Sequence, residues 1–157
     1  GCPYEHNVPL EQFIRLCDAL FDMGIDELSL GDTIGAANPV QVQKVLDVLL
    51  KRFPKESFAL HFHDTRGMAL ANMIAAMDMG ITVFDASCGG LGGCPYAPGA
   101  TGNAATDDLI YMCAQMGIET GVDLSKLLSA AKWIEDKTGR ELPSRNLQAA
   151  KSKNCFS

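Results

Sequence analysis

The chain has 157 residues, 47% of them hydrophobic and 20% charged, with a net charge of −6 and a pI near 4.9. That length suits one domain with a substantial core, the composition excludes a disordered chain, and no apolar run approaches the ~20 residues of a membrane span. The acidic balance offers no basic surface to follow a phosphate backbone, so nucleic acid is not an expected partner, and Gly1-Cys2-Pro3-Tyr4 carries no mark of secretion.

Helical spacing of Phe13, Leu16, Cys17, Leu20 and Phe21 predicts a helix over 10–22 that Gly24 stops. Ile25 to Leu30 follows as a short strand. Asn38-Pro39 reads as an N-cap and first helical position, opening a helix whose Val42, Val45, Leu46, Leu49 and Phe53 share a face. Phe58 to His63 is the second strand, 66–79 a helix stopped by Gly80, and Ile81 to Ser87 the third strand. Helices over 103–116, 123–138 and 144–151 complete the chain. Asp22-Met23-Gly24-Ile25 and Asp78-Met79-Gly80-Ile81 rhyme, each passing from a helix end straight into a strand.

Mostly apolar strands alternating with helices imply parallel βα units with helices outside. No G-x-G-x-x-G follows a strand, which weakens a dinucleotide-binding sheet. The expected fold class is α/β, the C-terminal portion of a (β/α)8 TIM barrel. About three parallel strands with outer helices and extra C-terminal helices make a single domain over 1–157. A whole barrel takes about 250 residues, so the upstream strands are expected to be absent.

The six cysteines are irregularly spaced and form no C-x-x-C pair, which favours reduced thiols in a cytosol-like compartment. Cys17 and Cys113 sit within helical patterns as apolar fillers, and Cys88 reads as packing.

In parallel α/β folds the chemistry lies at the C-terminal ends of the strands, and the unusual polar residues collect there. The first strand ends in Gly31-Asp32-Thr33 and the second in His61-Phe62-His63-Asp64. The third runs into a segment with six glycines in sixteen residues, from Cys88 to Asn103. His61 and His63, two apart on a strand, leave the same face and make half of a metal site; the alternative is a hydrogen-bonded pair of rim histidines. Asp32 is either a turn-capping carboxylate or one that orients or deprotonates a substrate hydroxyl. Cys94, inside the glycine loop, is a candidate proton donor or nucleophile. Asn103 is either the N-cap of the next helix or an oxygen ligand to a metal.

GCPYE at 1–5, LGDTIG at 30–35, HFHDTRGMALAN at 61–72 and GLGGCPYAPGATGN at 90–103 strongly resemble the 3-hydroxy-3-methylglutaryl-CoA lyase family. The resemblance runs on through Ala104 to Met112 and reaches about residue 135. It implies a site at the mouth of a TIM barrel holding a divalent Mg2+ or Mn2+ ion. His61, His63 and Asn103 would be the metal ligands, Cys94, Asp32 and His61 the catalytic residues, and Gly92 and Gly93 part of the substrate loop. Asp107 would support the site at a position that usually carries glutamate. The implied reaction is a metal-assisted retro-Claisen cleavage of an acyl-CoA substrate to acetyl-CoA and acetoacetate. The resemblance also implies a homodimeric parent enzyme, cytoplasmic or in the mitochondrial matrix if eukaryotic, with no membrane partner. The family's first strand carries an Asp-Arg-Glu motif, its Asp a metal ligand, and nothing in this sequence matches it. The chain alone is therefore expected to be inactive. The alternatives are a related barrel aldolase or acyl-CoA synthase, or a non-catalytic fragment.

Overall fold

The computed structural model describes Tyr4, residues 8–93 and residues 102–152. Strands β1 (Leu28–Asp32), β2 (Phe58–Phe62) and β3 (Val83–Asp85) form one parallel sheet in the order β1-β2-β3. Each is preceded by a helix: α1 (Leu10–Asp22), α2 (Pro39–Leu49) and α3 (Ala69–Asp78). Three further helices follow, α4 (Thr106–Gln115), α5 (Leu124–Thr138) and α6 (Arg145–Ser152). Parallel neighbours joined through helices are the repeating unit expected of a barrel segment.

Local chemistry sets most boundaries. Asn38 takes an extended backbone and accepts the Gln41 amide at 3.0 Å, with Pro39 opening α2 as the sequence predicts. The predicted helix over 66–79 begins only at Ala69, because Asp64 Oδ1 accepts the Ala69 amide at 3.0 Å and the residues between form a turn. The first strand lies at Leu28–Asp32 rather than 25–30, since pairing with Phe58–Phe62 fixes its extent. The third strand is shorter than predicted. It pairs with β2 only from Val83 to Asp85, after which Ser87 turns to bridge Ala105. The helix predicted over 103–116 starts at Thr106, so Asn103 is not its N-cap.

Strand alternation divides β2 between two faces. Phe58, Leu60 and Phe62 enter the main core with Leu46, Leu49, Met73, Ala76 and Ile81. Phe58 is fully buried, with the rings of Phe21 and Phe53 edge-on at 5.8 and 6.1 Å. Burial of such a ring contributes about 1.5–3 kcal/mol. Cys17 and Cys113 are buried free thiols whose pKa burial pushes up, which suits inert filler. A second cluster of Ala131, Leu142 and Leu147, with half-buried Cys88 packed against it, joins the C-terminal helices beneath the glycine segment. Among the described residues no helix is long and apolar enough to cross a membrane.

Among the described residues, no strand pairs with the outer edge of β1 or of β3. Unpaired edges of this kind template pairing with another chain. Residues 1–157 expressed alone are therefore expected to self-associate, and light scattering that returned a monomer mass would contradict this.

Candidate functional site

The candidate side chains gather where β2 ends. His61 and His63 leave the face opposite Phe62, with ring centroids 5.0 Å apart in an edge-to-face arrangement. His63 is buried, and its Nδ1 lies 3.0 Å from the main-chain oxygen of Asp32. A carbonyl oxygen can only accept, so Nδ1 carries the hydrogen, and in the neutral ring the lone pair is on Nε2. His61 is half-buried, with Nδ1 3.8 Å from Asp85 Oδ2.

Asn103 reaches the same place from the far side of the glycine segment. It bridges His63, while the Ala104 amide donates to the Phe62 oxygen at 3.0 Å. Its Nδ2 donates to the Leu91 oxygen at 3.1 Å, which leaves Oδ1 as the amide's acceptor. Gly92 runs directly against that amide at φ +114°, where a Cβ would stand 2.8 Å from Nδ2. Any side chain there would displace Asn103. Gly92 and Gly93 are both exposed, and Cys94 lies outside the described residues.

Two imidazoles, one held with Nε2 unprotonated, and an amide oxygen suit part of the shell of a divalent ion. They supply no negative charge. Among the described residues no group of three His, Cys, Asp or Glu could hold a metal.

Asp32 serves the site with its backbone rather than its carboxylate. The side chain faces the helices beside Leu30 and Phe62, on a cavity of about 480 Å³ between β1 and the helices α1 and α2. Its oxygens accept the amides of Ala36 and Ala37 at 3.0 and 3.1 Å, the turn-capping arrangement. The turn is fastened to the loop after β2 by Arg66, which donates to the oxygens of Ile34 and Gly35. Gly35, at φ +59°, leaves no room for a Cβ, which would stand 2.6 Å from Thr65 Oγ1.

Asp107 lies below the site. It is fully buried, its Oδ2 accepts the Gly89 amide at 2.8 Å, and its Oδ1 has no hydrogen-bond partner among the described residues. Burial pushes its pKa up against the opposing Gly89 bond. The neighbouring Asp108 accepts from the Ser144 hydroxyl, the amides of Arg145 and Asn146, and the Asn146 side chain, capping the start of α6. Ser29 and Asp85, which the sequence did not single out, also face the site. Only the cross-strand register, with Asp85 opposite His61, brings them there.

The HMGL-like family profile matches residues 1–134. The hydroxymethylglutaryl-CoA lyase of Bacillus subtilis is 71% identical over 97% of this chain and 51% of its own length. The mitochondrial enzyme of Gallus gallus is 46% identical over 96% of this chain and 50% of its own. A crystal structure of the B. subtilis HMG-CoA lyase superposes with a TM-score of 0.93, covering 96% of this chain and 51% of that one. An HMG-CoA lyase from Acinetobacter baumannii, in complex with coenzyme A and 3-methylmalate, gives 0.91 at 42% identity, covering 95% and 49%. The chain spans about half the length of the curated relatives it matches.

A carboxyl whose pKa is raised by folding favours the fold while protonated, and that advantage is lost as pH climbs from its unfolded value through its folded one. In a full-length protein carrying this chain, Asp107→Asn should therefore lose less stability than wild type between acid and neutral pH. Asp107→Ala, which strands the Gly89 amide, should cost about 1–3 kcal/mol. Urea denaturation at both pH values measures each effect, and parallel pH profiles for wild type and Asp107→Asn would contradict the first.

Proposed function

The chain belongs to the HMGL-like family, and on that premise we propose that, within a longer protein, it helps cleave 3-hydroxy-3-methylglutaryl-CoA to acetyl-CoA and acetoacetate. The observation that carries this reading is the meeting of His61, His63 and Asn103 at the strand ends, beside the start of the glycine loop. The A. baumannii relative, complexed with coenzyme A and a hydroxy acid, supports an acyl-CoA ligand at such a site.

His61, His63 and Asn103 would hold a divalent ion, Mg2+ or Mn2+, which when bound lowers the pKa of the substrate's C3 hydroxyl. His63, tethered through Nδ1 to Asp32, keeps Nε2 free to bind. The hydroxyl proton passes to a base of the longer protein, because the Asp32 carboxylate is turned to the helices on the Ala36 and Ala37 amides and His61 is committed to the ion. The C3–O electrons then form the ketone of acetoacetate, the C2–C3 bond breaks, and its pair passes to C2 as the thioester enolate. Cys94 donates its proton to C2, giving acetyl-CoA, and solvent reprotonates the thiolate. A thiol with an ordinary pKa of ~8.5 is mostly protonated at neutral pH and ready to donate. Gly92 and Gly93 let the loop approach substrate closely, and Asp107 braces its base through Gly89. The missing carboxylate ligand would come from an upstream strand, so residues 1–157 alone should bind Mg2+ weakly and show no cleavage. The working protein would be a homodimer, cytoplasmic or in the mitochondrial matrix in a eukaryote.

In a full-length protein, His63→Ala should lower Mn2+ affinity and turnover together, by at least the 10–100-fold typical of changes to a ligand's supporting contacts. Calorimetric titration that returned wild-type affinity would remove His63 as a ligand. Cys94→Ala should cut kcat by about 10²–10⁴ and leave KM much less affected. Steady-state kinetics showing near-normal kcat would reduce the loop to a lid.

A further inference from the structure

On the face of the sheet that carries His61, side chains of β1 and β2 converge on one residue of β3. Asp85 on β3 is the register partner of His61 on β2, and its Oδ2 lies 3.8 Å from His61 Nδ1. The same oxygen accepts the Ser29 hydroxyl of β1 at 2.9 Å. That bond crosses the middle strand at Ala59, the register partner of Ser29, whose small side chain leaves the way open. Barrel interiors are layered in this manner, with side chains of alternate strands meeting over the strand between them.

The two histidines differ in what holds them. His63 has a backbone carbonyl at Nδ1, whereas the acceptor facing Nδ1 of His61 is the Asp85 carboxylate. We infer that Asp85 is a positioning residue for His61: braced by Ser29, its carboxylate takes the Nδ1–H and fixes the tautomer that presents Nε2 to a divalent cation. The inference rests on the metal role proposed for the histidine pair. A separation of 3.8 Å is longer than a hydrogen bond, and such contacts often tighten only when a site is filled. A carboxylate on the far nitrogen of a metal-binding imidazole orients the ring and raises its basicity. A His61 held this way has no lone pair left for the C3 hydroxyl proton, which removes it as a candidate base.

The test uses a full-length protein carrying this chain, with Mn2+ as the probe. Asp85→Ala should lower Mn2+ affinity 10–100-fold, the usual cost of removing such a support, and Asp85→Glu should restore most of it. Ser29→Ala, which removes only the brace, should give a smaller loss in the same direction. The imidazole 15N shifts of His61 in the metal-free protein should move from an Nδ1-protonated pattern towards a tautomer mixture in Asp85→Ala. Weakened Mn2+ binding in His63→Ala, beside wild-type affinity and unchanged His61 shifts in Asp85→Ala, would overturn the tether alone. Wild-type affinity in both His63→Ala and Asp85→Ala would overturn the metal reading and this inference with it.

Discussion

The bond between His63 Nδ1 and the Asp32 carbonyl is the contact on which the rest of the site depends. It joins the ends of two neighbouring strands, settles which nitrogen of a buried imidazole carries the hydrogen, and needs no ionisable partner to do so. A backbone acceptor moves only if its strand moves, so the orientation of His63 is as rigid as the sheet. Asp32 can offer that carbonyl because its own carboxylate is spent on the amides of Ala36 and Ala37, holding the turn that follows. Arg66 then links that turn to the loop after β2, so the two strand ends are tied on both sides.

Glycine does a different job on the other side of the site. Gly92 lets one stretch of backbone pass close enough to set the Asn103 amide by hydrogen bonding to Leu91. The bridge to His63 then brings a residue forty positions downstream to the end of β2. The result is a polar cluster assembled from a strand and a returning segment, with the apolar face of the strand committed to the core.

Much of this was legible in the sequence because it depends on local periodicity. The alternation from Phe58 to His63 separates core from site residues without reference to anything else, and Asn38-Pro39 marks a helix start by its own chemistry. What escaped was set by long-range pairing. Asn103 had two readings, cap or ligand, and only its bridge to His63 takes it out of the helix. Asp85 looks like an ordinary strand residue until the register sets it opposite His61. Asp32 was read for its carboxylate, yet the atom that reaches the site is its carbonyl, which every residue possesses and no composition can flag.

The adjacent aspartates at the start of α4 carry a structural consequence of their own. Asp107 holds the root of the glycine loop, and Asp108, one residue on, holds the first turn of α6. The last helix is thus a strut bolted to the same beam as the glycine loop, not a trailing appendage. Shortening the chain ahead of Ser144 would cost Asp108 all of these partners and strip Leu147 from the cluster under Cys88. A lesion at the far end of the polypeptide would then register as slackness at the barrel mouth.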